Sequence, residues 1–252
     1  RIWFRPYRSM TKKRPPEHMS RLGNLRTQST WRDIIEGQPQ QIAIMVLMAL
    51  GAMSLLKAPA DAPTVLFLTS REWAVVSIVL ACVHQFVTAA GFRLQLHRNL
   101  LTKWFGDRDM HVWAAVFMPL LVARPITLCL VGWADTVVIT GWRVPEIALG
   151  LALIGVAVWG MHSVLVYFTL PRALGGDHFL EEYAAMPMVR EGVFKYTSNA
   201  MYGIVFLGLW GIALMFGSWN ALVVALFQHG FIWVHMYCTE APDMRWIYGA
   251  EG

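Results

Sequence analysis

Long apolar runs alternate with short polar breaks along this chain. Apolar residues dominate 41–56, 73–92, 111–131 and 144–170, and again 201–216 and 221–237. A membrane-spanning helix needs about 20 such residues, and none of the runs shows the alternation of a barrel strand. The pattern therefore predicts an all-α fold, a polytopic transmembrane bundle of about six membrane helices. The run 144–170 is long enough to tilt or protrude. The last two runs are slightly short, and Gly217, Ser218, Trp219 and Asn220 between them predict a tight C-terminal helical hairpin. Residues 58–63, rich in proline, predict a short exterior loop between the first two helices.

Composition agrees with a bilayer as solvent: of 252 residues 56% are hydrophobic and only 15% charged. Most of the 12 Trp are expected as interface anchors. Cys82, Cys129 and Cys238 lie far apart, in or at the end of apolar runs, so neither a disulfide framework nor a metal site is expected. The net charge of +5 is uneven, because Arg1, Arg5, Arg8, Lys12, Lys13, Arg14, Arg21, Arg26 and Arg32 all precede the first run. This basic segment reads as a topology signal rather than a site for nucleic acid or anionic lipid. It lacks the apolar core of a cleavable leader, and it is expected to be a mobile arm that turns amphipathic near 31–35. Six passes from a cytoplasmic N-terminus put the 93–109 loop, which carries Arg93 and Arg98, the 171–199 loop and the C-terminal tail on that same side. The expected regions are an interfacial basic arm (1–40), four transmembrane helices (41–170), and a polar loop, hairpin and tail (171–252).

Ionisable groups inside apolar helices need partners or a wet cavity. Arg124, just before Pro125, fits two readings: pairing with a carbonyl freed by Pro119 or Pro125, or binding a headgroup phosphate. His84 and His162 read as interhelical hydrogen-bonding groups. His229 and His235 are six apart, poor spacing for two metal ligands on one helix face. The polar stretch 171–199 holds Asp177, His178, Glu181 and Glu182. Two clusters flank the final hairpin, 196–203 before it and 238–244 after it. A tight hairpin brings Tyr202 and Glu240 to one membrane surface, near the acidic loop. A structural reading stays open: Ser198 or Asn199 as helix N-cap and Pro242 as helix stop account for much of the pattern.

The same residues resemble the signature of small integral-membrane methyltransferases, the phosphatidylethanolamine N-methyltransferase and isoprenylcysteine carboxyl methyltransferase family. Asn199, Ala200, Met201 and Tyr202 resemble that family's Asn-Pro-Met-Tyr. Glu240, Ala241 and Pro242 resemble its Glu-Glu-Pro, and Gly176, Asp177, His178 and Phe179 its Gly-Asp-Tyr-Phe. Ala200, Ala241 and the early Gly203 depart from the pattern. The resemblance covers roughly 170–249 and leaves the N-terminal helices unexplained.

The resemblance implies S-adenosylmethionine as cofactor, with Asn199, Tyr202, Gly203 and Glu240 around it and Glu240 facing its ammonium or sulfonium end. It implies a membrane lipid as substrate, with Asp177 and His178 on the substrate side. An amine acceptor must lose a proton, for which His178, Asp177, Glu181 and Glu182 are the candidates, and Arg124, Tyr196 and Trp233 are the candidates to hold the headgroup by charge or cation–π attraction. The Asn-x-Met-Tyr and Gly-Asp-His-Phe forms lean toward phosphatidylethanolamine or its methylated derivatives. The alternatives are isoprenylcysteine carboxyl methylation, a membrane sterol reductase, and a non-enzymatic scaffold or transporter subunit.

Overall fold

A computed structural model describes residues 20–249. The cations from Arg1 to Arg14 lie outside the described residues. Two short helices, α1 (Arg21–Gln28) and α2 (Trp31–Ile35), precede the first long helix, α3 (Gln38–Leu55). A small hairpin, β1 (Thr64–Val65) with β2 (Leu68–Thr69), leads into α4 (Ser70–Arg98). Then come α5 (Leu100–Phe105), α6 (Asp109–Ala134) and α7 (Arg143–Ser163), the last continuing as a π turn over Val164–Phe168. The polar stretch holds α8 (Leu170–Ala173) and α9 (Glu181–Ala184). The final hairpin is a π turn (Met201–Val205) with α10 (Leu207–Phe216), then α11 (Trp219–His235), a π turn (Met236–Glu240) and α12 (Ala241–Tyr248).

Among the described residues five helices are long and apolar enough to cross a membrane, and Met201–Phe216 is a shorter sixth apolar helix. Local chemistry sets their ends. Thr69 and Glu72 form a capping box that starts α4, which stops at Asn99 in the left-handed region. Gly217 ends α10 at a φ of 64°, where a side chain would run into Arg143, and the Ser218 hydroxyl caps α11. These two residues build the tight turn that the sequence predicts.

In the interior, α7 and α10 approach at Gly150 and Gly211, where backbone meets backbone. A polar cross-tie joins α4, α6 and α11. Ser77 shares a hydrogen bond of 2.9 Å with Thr127 and accepts one of 3.0 Å from Gln228, whose amide oxygen accepts from Arg124 Nε at 2.9 Å. Away from water such bonds have no solvent competitor, so the tie selects one helix register. At one end of the bundle Asp135 accepts from the Ser218 hydroxyl and the Asn220 amide.

The opposite end departs from the sequence expectations in three places. Residues 21–35 are not a mobile arm: Leu22 and Leu25 are buried with Leu96 and Ile247, and Ile34 is buried as well. Arg93 and Arg98 lie on α4 rather than in a polar loop, because side-chain and backbone partners from elsewhere satisfy them. Pro242 does not stop a helix. It lies within the continuous helical run Trp219–Tyr248, and the Cys238 carbonyl four residues before it accepts from Arg93 instead.

Candidate active site

Tyr202 and Glu240 meet across the hairpin: the phenol donates to Glu240 Oε2, joining residues 38 apart. Each lies in a π turn, Met201–Val205 and Met236–Glu240. A π turn inserts a residue into the helical repeat and rotates the side chains beyond it. The periodicity of an α-helix therefore does not foretell which face these two present. His229 pins the first bulge, accepting from Trp210 Nε1 at 2.8 Å while its ring hydrogen-bonds the Tyr202 backbone.

Gly203 borders open space, since a methyl group built on it would touch only the Trp233 indole, at 3.9 Å. Trp233 in turn lies edge-on to Tyr202 at 6.1 Å and stacked with Tyr237 at 6.1 Å. Tyr237 is 66% exposed, so an aromatic row runs from the surface to the Tyr202–Glu240 pair. Asn199 contributes its backbone, accepting from the Tyr202 and Gly203 amides. Neither Ser198 nor Asn199 caps that turn through its side chain.

Beside this pair lies a buried charge cluster. Arg93, 1% exposed, donates to the carbonyls of Asp33 (2.9 Å), Glu36 (3.0 Å), Cys238 (3.2 Å) and Thr239 (3.2 Å), and its guanidinium lies 3.2 Å from Asp243 Oδ1. Asp243 Oδ2 faces His178 Nε2 at 3.2 Å, and His178 Nδ1 faces Asp177 at 2.9 Å. Tyr248 donates to Asp177 at 3.1 Å, and Phe92 stacks on the imidazole at 4.3 Å. His97 approaches Asp243 from the other side at 3.9 Å.

Burial works against a charged His178, but the Asp177 charge and hydrogen bonds to Asp177 and Asp243 outweigh it and push its pKa up to about 10. Burial alone would raise Asp177. The His178 charge, with hydrogen bonds from His178 and Tyr248, holds it below its ordinary value. A raised folded-state pKa stabilises fully below the free-imidazole value of 6.5 and loses its effect as pH climbs through about 10. The Asp177 contribution is present above 3.8 and is lost as pH falls below it. Melting temperature is therefore expected to fall between pH 6.5 and 10, and His178→Asn to flatten that slope. An equal slope in both proteins assigns the alkaline transition to another group.

The remaining candidates disperse. Glu181 accepts from the Leu22 amide at 3.1 Å and holds α1, while Glu182 keeps a buried Oε1 without a hydrogen-bond partner. Arg124 pairs with Gln228 rather than a carbonyl freed by proline, and α6 runs unbroken through Pro119 and Pro125. Its guanidinium lies 5.1 Å from the Phe206 ring centroid. Tyr196 is 78% exposed beside Trp159. His84 is buried without a hydrogen-bond partner, and His162 is exposed.

Residues 145–251 match the family model described as phospholipid methyltransferase. This part of the chain is similar to the phospholipid methyltransferases. A phosphatidylethanolamine N-methyltransferase of Malassezia globosa is 27% identical over 145 residues, 55% of this chain and 14% of that protein. Proteins of the same name from Scheffersomyces stipitis and Meyerozyma guilliermondii are each 31% identical, over 74 and 77 residues, covering 29% and 31% of this chain and 9% of each relative. The chain thus spans a seventh or less of the length of these relatives. No solved structure matches it. The matched stretch contains Tyr202, Glu240, Asp177, His178 and Asp243, whereas Gln41, Arg93 and Arg124 lie outside it.

Sequence reasoning passed over Arg93, His229 and His235. Arg93 looked like a loop cation, and the two histidines were weighed only as metal ligands. The available signal was their setting: cations and imidazoles within or beside apolar runs demand partners.

Proposed function

We propose that this chain methylates a phospholipid amine, phosphatidylethanolamine or a methylated derivative, with S-adenosylmethionine as donor. The observation that carries the reading is the Tyr202–Glu240 contact across the hairpin, made by the two motifs that resemble the methyltransferase signature. The residues suit the cofactor. A carboxylate suits an ammonium or sulfonium cation, aromatic faces add cation–π attraction of roughly 0.5–2 kcal/mol each, and Gly203 leaves room. Glu240, Tyr202, Gly203 and the Asn199 backbone would hold it.

When bound, S-adenosylmethionine supplies a methyl group already activated by a positive sulfur. The protein's task is then mainly alignment and exclusion of water. Trp233 and Tyr237 offer aromatic faces along a route from the lipid side to Tyr202. His178, protonated at neutral pH between Asp177 and Asp243, is assigned to holding the polar segment in place rather than to taking the acceptor's proton. Arg124 is assigned to the headgroup phosphate. The site and both termini are placed on the cytoplasmic side, in keeping with the Lys and Arg distribution.

The test is binding of labelled S-adenosylmethionine to detergent-purified protein, then transfer of label into a total lipid extract. Saturable binding with label in an amine phospholipid supports the reading. Label in another lipid moves the acceptor, and folded protein without binding overturns it.

A further inference from the structure

His235 is 0% exposed, and the residues around it set its orientation. The Gln38 amide donates to the Thr239 hydroxyl at 3.0 Å, and that hydroxyl donates to Gln41 Oε1 at 2.7 Å. With its oxygen engaged, Gln41 turns its amide nitrogen to His235 Nδ1, 3.4 Å away. An amide nitrogen only donates, so Nδ1 accepts and the imidazole proton sits on Nε2. That Nε2 has no hydrogen-bond partner and faces Glu240 Oε1 at 3.5 Å. Glu240 Oε2 is already held by Tyr202.

We infer that His235, oriented by Gln41, is a positioning residue that holds the Glu240 carboxylate toward the cationic end of the cofactor. A residue of α3, outside the family-matched stretch, thereby completes the site. The inference rests on Glu240 being the cofactor contact proposed above. Tyr202 donates to one oxygen and the His235 N–H faces the other, so the two together limit rotation of the carboxylate. Tyr202 comes from the π turn before α10, and His235 from the end of α11. Preorganisation of this kind spares the ligand the cost of ordering its partner. A buried imidazole N–H costs free energy until it meets an acceptor, which drives His235 and Glu240 together. The backbone fits the arrangement: Gly37, at a φ of 76°, lets the start of α3 lie against the Cys238 carbonyl, where any side chain would collide.

The experiment measures equilibrium binding of labelled S-adenosylmethionine, with melting temperature alongside, for His235→Leu, His235→Gln, Gln41→Leu and Glu240→Gln. His235→Leu is expected to weaken binding about tenfold, through loss of the polar group that faces Glu240 Oε1. His235→Gln, which can offer an amide N–H near the Nε2 position, is expected to restore affinity to within about threefold of native. A merely structural histidine gives no such rescue. Gln41→Leu is expected to weaken binding in the native background and to add nothing once Glu240 is Gln, because the relay then has no carboxylate to orient.

Native affinity in a folded His235→Leu protein, beside a loss in Glu240→Gln, overturns the inference and leaves the proposed site standing. Native affinity in Glu240→Gln overturns the site itself. Where His235→Leu does not fold, the Gln41–Glu240 coupling decides, and additive effects overturn the inference.

Discussion

Glu240→Gln is expected to weaken S-adenosylmethionine binding about 10- to 100-fold, with methyl transfer at fixed cofactor falling in step. Glutamine keeps the size of the side chain and can still accept from the Tyr202 phenol, so the hairpin contact survives. What disappears is the negative charge proposed above to face the cofactor. Melting temperature should change little, because Glu240 lies at intermediate exposure and not in the sealed interior. Titration of labelled cofactor into the purified variant is the check. A folded variant with native affinity assigns the Tyr202–Glu240 contact to hairpin architecture alone. Tyr202→Phe should lose less, since it removes one donor and leaves the charge in place.

Arg93→Ala is expected to destabilise the protein by about 3–5 kcal/mol, the scale for removing one partner of a buried ion pair. The loss leaves the Asp243 carboxylate beside His178 and His97 without its arginine and strands four carbonyls, those of Asp33, Glu36, Cys238 and Thr239. These carbonyls come from both ends of the described chain, so the damage should spread to the docking of 21–37 and to the turn before Glu240. Arg93→Lys should recover only part of the loss. An ammonium keeps the charge but not the planar fork that reaches several acceptors at once. Unfolding in detergent measures both, and a change below about 1 kcal/mol for Arg93→Ala would show that water satisfies the carbonyls as well as the guanidinium does.

Hydropathy was enough to reveal the helical architecture, because burial in a bilayer demands long apolar runs and internal backbone hydrogen bonds whatever the tertiary arrangement. The runs ending near Leu56, Val131 and Phe216 became helices ending at Leu55, Ala134 and Phe216. The turn chemistry of Gly217 and Ser218 was equally local, and so were the motifs that carry the family resemblance. Tyr202 and Glu240 could be paired in advance because a hairpin constrains its own ends.

Tertiary packing alone decided the rest. The charge of Arg93 is visible in the sequence, but not that Asp33, Glu36, Cys238, Thr239 and Asp243 would gather around it to make burial tolerable. His178 looked like a proton acceptor, yet two aspartates from different segments make it a cation at neutral pH. Gln41 looked like the edge of an apolar run, and Gln38, Thr239 and His235 turned it into an orienting group. Local pattern reports how a residue suits its own helix and the surrounding solvent. A buried polar group is governed instead by partners brought from distant segments, and only the folded chain supplies them.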